Sequence, residues 1–425
     1  MTPPPHRTLI EVGVSVLASA RFTQALTVAI LGTAFLSSTV KATMGWEGLI
    51  GALVCLVVLA GASLAVSREE IEWRGLLPIS LILFIGWCGA TILWSDYQWA
   101  TLGSIAYQVA FASLGVFVAL RRDLIQIVRA VGDVLRTVLV ASLALEVLVG
   151  ILLDTSAPFL RIDGSLADGG PIQGLLGTRN QLGLVAVIAL ITFSIELVTR
   201  SADRGLAVGS IVLAALSVWF TGSPVSLGVL AAVAVTSAVL VWLRRLDPDP
   251  RRVAQFALLG TTVFVLTAAF VFRSRLIAVL DAGSEFEFRY SLWLDVVERA
   301  ATRTVEGFGW LGLWRRDLPP YIGIDPFGPA HSSALNAYLD VLLQTGIVGL
   351  FAFIALLGLT LVRSWLLASN KRSVVFAWVP LVLVALILTS AAESSILVEF
   401  GWLLLVICCV RSAHELSWRS RLPEA

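Results

Sequence analysis

An all-α integral membrane protein of about twelve transmembrane helices is the fold class the sequence predicts, on three observations. The 425 residues are 58% hydrophobic and only 14% charged, against roughly a quarter charged in an ordinary soluble chain, and the mean hydropathy is +0.90. Apolar runs long enough to cross a bilayer, about 20 residues each, recur from end to end. Between them, Lys and Arg collect in alternate loops, as they do where cytoplasmic loops carry the positive charge. The bilayer is therefore the expected solvent. The net charge of +1 says nothing about partners, and no nucleic acid is implied; where the charges lie says more.

In chain order, spans are predicted near 22–40, 46–66, 75–93, 100–120, 134–153, 180–199, 205–220, 224–243, 253–272, 346–367, 374–390 and 396–410. The TGSP break at 221–224 leaves the two runs around it open to a re-entrant hairpin. Residues 1–21 read as a cytoplasmic tail. The Pro-rich start and Arg21 do not lead into a small-residue cleavage pattern, so the first span is expected to be retained rather than removed as a signal peptide. The inside loops then hold Arg68 and Arg74, RRD at 121–123, RSADR at 200–204, RRLDPDPRR at 244–252, NKR at 370–372, and the tail 411–425. Most of the 30 basic residues fall there. Outside, Lys41 stands alone, and the rest lie in two segments. Residues 22–410 thus form one polytopic membrane domain with both termini cytoplasmic.

Cys55, Cys88, Cys408 and Cys409 all lie inside apolar runs, which suggests neither disulfides nor a zinc site. Trp46, Trp73, Trp94, Trp99 and Trp242 mark predicted span ends, and interfacial anchoring accounts for them. No internal repeat is evident.

The two basic external segments are the informative ones. The first is a loop over 154–179, DTSAPFLRIDGSLADGGPIQGLLGTR. The second begins at about 273 and is the longest stretch without a span; with the amphipathic sequence that ends it, it forms an external loop over 273–345. Long loops in compact proteins are usually functional or disordered, and the helix-like SLWLDVVERAATRTVEGFG argues against disorder. Its arginines have a plain alternative explanation, since long loops translocate regardless of charge.

His331 is the one histidine of three outside the terminal tails, and it stands where a Pro- and Gly-rich loop becomes apolar. After it, Ser332, Asn336, Asp340 and Gln344 recur every fourth position, the spacing of one polar stripe on a helix. Such a helix can lie at the membrane surface, apolar side down, before the chain turns at TGIVG and enters the bilayer. The stripe would face a groove near the outer headgroups with His331 at its N-terminal lip. A solvated amphipathic helix with an inert histidine fits the same spacing.

Three segments carry a resemblance to a family: GLLGTRNQLG (174–183), FRYSLWLDVVERAATRTVEGFGW (288–310) and HSSALNAYLDVLLQTGIVGL (331–350). They resemble, in order, the Gly-rich turn with a basic residue and Asn, the Arg with a Trp four residues on and a Gly-aromatic-Gly turn, and the His–Asn helix closed by G-x-x-G, of the O-antigen ligase and lipid-linked polysaccharide polymerase superfamily. The likeness spans most of the chain. It departs from the family in two places: Leu335, not His, directly precedes Asn336, and TGSPVS (221–226) stands where members often carry a Ser-Arg pair.

The resemblance implies a glycosyltransferase type C-like membrane fold. It implies a transferase that moves a glycan from a polyprenyl diphosphate carrier to an acceptor hydroxyl on a glycan, lipid or protein, at the outer face of the plasma membrane. It implies no cofactor and no metal, because arginines rather than a divalent ion meet the diphosphate. Guanidiniums are suited to that role because they stay charged and bind phosphate oxygens in a planar, two-pronged way. Arg289 is the first candidate, followed by Arg179 and Arg161, with Arg315 and Arg316 in reserve; a salt bridge to Glu285 or Glu287 would equally account for Arg289. His331 is the candidate general base, since an imidazole titrates near about pH 6.5, or else a hydrogen-bonding group for the diphosphate. Asn180, Asn336, Asp340 and Glu393 are expected to bind diphosphate or glycan, and Glu393 matches a common family acid able to orient His331 or an arginine. Asp163 and Asp168 are of cation-ligand type, but Asx-Gly turns need no ligand.

The rival readings are a polymerase of the same superfamily, a secondary transporter or flippase using Glu146, Glu196 or Glu399, and a peptidoglycan polymerase of the shape and division type. The transporter reading lacks an inverted repeat. The last shares the layout but not the late His-helix motif.

Overall fold

The computed structural model describes residues 9–68, 78–153, 155–160, 162–167, 169–271, 283–324 and 331–415. Among the described residues there are fourteen α-helices, one in each of the twelve predicted segments and two more at 9–18 and 283–302. In order these are α1 Leu9–Ala18, α2 Ala20–Phe35, α3 Ser37–Val66, α4 Ile79–Ala90, α5 Gln98–Arg121, α6 Leu124–Val147, α7 Arg179–Thr199, α8 Arg204–Thr221, α9 Pro224–Arg245, α10 Pro248–Val271, α11 Gly283–Thr302, α12 Ala337–Asn370, α13 Trp378–Thr389 and α14 Glu399–Glu415. Among the described residues, α3, α5, α6 with its extension to Leu152, α7, α8, α9 and α12 are long and apolar enough to cross a membrane, and 79–93 and 374–389 are shorter apolar helices. The runs around TGSP are two full helices, α8 and α9, rather than a re-entrant hairpin. Residues 9–18, expected as tail, form α1, held near the end of α3 by a hydrogen bond from Ser63 Oγ to the Leu17 carbonyl at 3.0 Å.

Outward faces carry large exposed apolar side chains along the helices, among them Val54, Val58, Ile82, Leu216, Val235 and Phe351. Water would not tolerate a contiguous surface of that kind, whereas lipid chains would, and a helix is an element able to satisfy its backbone in a membrane. The protein is embedded in a membrane. Trp99, Trp219 and Trp242 are likewise exposed.

The core has two axes. α14 is apolar on all sides through FGWLLLVICCV, and every residue from Glu399 to Ser412 is buried, as expected of a helix with no polar face. It packs on α5 and α12; α7, the other axis, packs on α6, α8 and α13. α7 and α9 approach so closely at Gly183 that a Cβ there would lie 1.9 Å from Ser226 Oγ.

The expected turn at TGIVG is a break inside α12. Gly346 has φ 68° and ψ −171°, and a Cβ on it would meet the Val305 carbonyl oxygen at 2.0 Å. A helix that breaks among apolar groups strands its backbone donors and acceptors, and these need partners. Here the 304–309 turn supplies most of them. Phe308 and Gly309 N–H donate to the carbonyls of Leu343 (3.1 Å) and Gln344 (2.8 Å), and Ile347 N–H donates to Thr304 O at 2.8 Å. Trp87 Nε1 donates to the Thr345 carbonyl at 2.8 Å. The Gly-aromatic-Gly segment is thereby fastened to the break.

α11 covers the first part of the helix-like stretch expected at 291–309, but it begins earlier and ends at Thr302. Its apolar face, Leu292, Val296 and Ala300, packs with Tyr97, Leu311, Trp314, Tyr321, Ala334 and Leu343 into a second, smaller core at one end of the bundle. That end also holds the start of α7.

Candidate functional site

The site is built around Glu393, in the turn between α13 and α14. Its carboxylate is buried, 8% exposed. Oε1 accepts a hydrogen bond from Asn180 Nδ2 at 2.5 Å and lies 3.6 Å from Arg289 Nη2. Arg289 also donates through Nη1 to the neighbouring Ala392 carbonyl. Three residues more than a hundred positions apart in sequence thus meet at one carboxylate.

Each is positioned by local chemistry. Thr178 caps α7, its Oγ1 accepting from Gln181 N–H, which fixes Asn180 in the first turn. The Asn180 amide is then oriented from its other side: Ser223 Oγ donates to its Oδ1 at 2.7 Å, leaving Nδ2 to face Glu393. Ser223 is itself the cap of α9, accepting from Ser226 N–H at 3.1 Å, with Pro224 at the first helical position. Arg289 projects from α11 with its side chain mostly buried. Burial raises the Glu393 pKa above the ordinary carboxylate value, against the opposing pull of Asn180 and Arg289. A desolvated carboxylate resists ionisation unless fully compensated, and one amide plus one guanidinium at 3.6 Å compensate only in part.

His331 lies beside the same helix. Its ring packs on Phe288, the neighbour of Arg289, with centroids 5.1 Å apart, and Trp293 Nε1 ties the segment to α11 by donating to Ala334 O at 3.0 Å. The expectation that His331 and Ser332 continue the helical stripe is corrected. Residues 331–336 are not helical, and Leu335 adopts a left-handed φ of 49°. Asn336 is the N-cap of α12, accepting from Tyr338 and Leu339 N–H. The fourfold spacing is a true helical stripe only from Ala337 onward.

The stripe does not line an open groove either. Asp340 and Gln344 are fully buried. The Asp340 carboxylate accepts from Ala334 N–H with both oxygens at 3.1 Å and from Ser394 Oγ. It therefore links the two segments that carry His331 and Glu393. Asn336 Nδ2 reinforces this by donating to Ala391 O at 3.2 Å, as does Ala337 N–H to Ser390 O at 2.8 Å. Gln344 Oε1 accepts from Leu311 and Gly312 N–H, both at 2.8 Å. In this structure Asp340 and Gln344 support the site from beneath.

Arg179 is half-buried at the first position of α7, next to Asn180. Arg161 and Asp168 lie outside the described residues. Arg315 is exposed and pairs with Asp317 at 2.6 Å; Asp163 accepts from Gln173 Nε2 at 2.6 Å. Each of the three acids a transporter would draw on is already engaged. Glu146 accepts from the Gln173 and Gly174 N–H groups at 2.8 Å, and Glu196 pairs with Arg136. Glu399 pairs with Lys41 at 2.6 Å and accepts from Tyr107 at 3.1 Å.

Sequence reasoning missed Ser223 and Ser394. A Ser before Pro in a break between apolar runs signals a helix cap, so Ser223 was findable as a cap, but its contact with Asn180 is tertiary. Ser394 left no signal in the sequence.

The arrangement is a cluster of charged and amide groups, one guanidinium, one carboxylate and one nearby imidazole, at one end of a membrane-embedded helix bundle. Neither a protein-family model nor a curated protein matches the chain.

Proposed function

We propose that this protein is a polytopic glycosyltransferase of the O-antigen ligase kind, with twelve spans, a type C-like fold and both termini in the cytoplasm. It transfers a glycan from a polyprenyl diphosphate carrier to an acceptor hydroxyl at the outer face of the plasma membrane. The observation that carries the reading is the meeting of Arg289, Asn180 and Glu393 at one end of the bundle, with His331 against the Arg289 helix.

In this mechanism the acceptor oxygen attacks the anomeric carbon, the carbon–oxygen bond to the diphosphate breaks, and its electron pair leaves with the diphosphate. Arg289 meets that growing charge. A guanidinium carries five N–H donors in a fixed plane; the hydrogen bond to Ala392 O engages one, and the ion pair with Glu393 helps aim the plane. Near low-dielectric surroundings such a contact is stronger than in water. Arg179 and Arg161 add positive charge for the carrier headgroup. His331 receives the hydroxyl proton. Glu393 and Asn180 act through Arg289, holding its orientation.

The test is transfer from a defined polyprenyl diphosphate-linked glycan by purified protein. Arg289→Ala is expected to abolish transfer while membrane insertion stays intact. Wild-type turnover by that variant would remove the centre of the proposal.

A further inference from the structure

The opposite end of the bundle holds a second charged site that the transferase reading does not use. α7 carries Asn180 at its start and Glu196 near its end, about 24 Å away at 1.5 Å per residue. Around Glu196 opens a cavity of about 610 Å³, walled by α6, the end of α7 and the turn into α8. A volume of that order accommodates a small-molecule headgroup.

Four arginines line it, Arg122, Arg129, Arg136 and Arg200, against Asp133, Glu196 and Asp203. The carboxylates are unevenly distributed among them. Arg136 takes two, pairing with Asp133 at 2.9 Å and with Glu196. Arg129 is held by the Ser201 carbonyl, to which Nε donates at 2.8 Å, and so presents its charge from a fixed position. Arg122 is the most telling. It is only 8% exposed, and its Nη1 donates to neutral Gln126 Oε1 at 3.3 Å. Its Nε is buried with no partner among the described residues. A buried donor left unpaired costs free energy that an acceptor would recover. Burial above all, with Arg121 nearby, lowers the Arg122 pKa from the usual guanidinium value against the opposing pull of Asp123, the direction expected of a desolvated cation. Arg200, in a left-handed conformation at the end of α7, adds an exposed guanidinium at the rim.

We propose that this cavity binds a phosphate group, with Arg122 in its wall and Arg129 and Arg200 at its mouth. Guanidiniums bind phosphate oxygens through paired N–H donors, and basic pockets between membrane helices take anionic headgroups. The phosphate belongs either to an anionic phospholipid or to a soluble phosphorylated molecule; the chemistry of recognition is the same. The inference does not rest on the transferase reading.

The full chain in neutral detergent is titrated with phosphatidylglycerol, with phosphatidylcholine of the same chain length and with inorganic phosphate, and binding is read by native mass spectrometry and thermal shift. Saturable binding of phosphatidylglycerol, at least about tenfold tighter than phosphatidylcholine, assigns the lipid source; saturable binding of inorganic phosphate as well assigns a soluble one. Arg122→Gln is expected to weaken binding about tenfold, the scale of one lost charge-assisted contact. Arg200→Gln, at an exposed position, does the same without risk to folding. Equal binding of the two lipids with none of phosphate, no binding at all, or wild-type affinity in Arg200→Gln overturns the proposal.

Discussion

Replacing Gln344 by Leu tests whether the loop beneath the site is held as described. Gln344 is fully buried, and its Oε1 is the acceptor for two backbone donors, Leu311 and Gly312 N–H, each at 2.8 Å. Leucine fills nearly the same volume but accepts nothing. Two amides are then stranded in a dry interior at about 1–3 kcal/mol each, so about 2–6 kcal/mol in all, with part offset by burying an apolar group in place of an amide. A net cost of about 2 kcal/mol, within that range after the offset, is about thirtyfold in an opening equilibrium. The assay is hydrogen–deuterium exchange on peptides covering 308–314. In Gln344→Leu the Leu311 and Gly312 amides should exchange about thirtyfold faster, while amides in the middle of α7 stay protected. Unchanged exchange at those two amides refutes the argument, because their protection would then come from elsewhere.

Three further outcomes are expected. Gly346→Ala should fail to yield folded protein, since its Cβ would lie 2.0 Å from Val305 O at a backbone conformation worth about 1–3 kcal/mol of strain for an L-residue; yield and size-exclusion profile check this. Glu393 holds its proton more tightly in the folded chain than an ordinary carboxyl does. Its contribution to stability is therefore fully present below the usual carboxylate pKa and is lost as pH rises through the raised value, so wild type should lose melting temperature relative to Glu393→Gln as pH increases. His331→Ala should lower kcat for glycan transfer; a change confined to KM would leave His331 as a binding group rather than the base.

The membrane class and the positions of the helices were legible because the bilayer demands long apolar runs and loops sort by charge, both local properties. The break at Gly346 was legible for the same reason, as a short Gly-punctuated turn ahead of an apolar run. The polar stripe was half legible: periodicity alone places Asp340 and Gln344 on one face, but it does not say whether that face meets water or protein. Extending it back to His331 failed because Asn336 caps the helix, and a cap residue ends a period that the residue spacing alone continues.

By itself the sequence determined an apolar helical chain in a lipid solvent and a helix-like stretch at 291–309, the first part of which is helical. Only the tertiary structure decided that the Glu393 carboxylate is where Arg289 and Asn180 meet, that Ser223 turns the Asn180 amide toward it, and that Asp340 faces inward. Those outcomes depend on which helices pack together. A one-dimensional pattern fixes which face of a helix is apolar, but the partner of a buried polar group is set by the neighbour that closes over it.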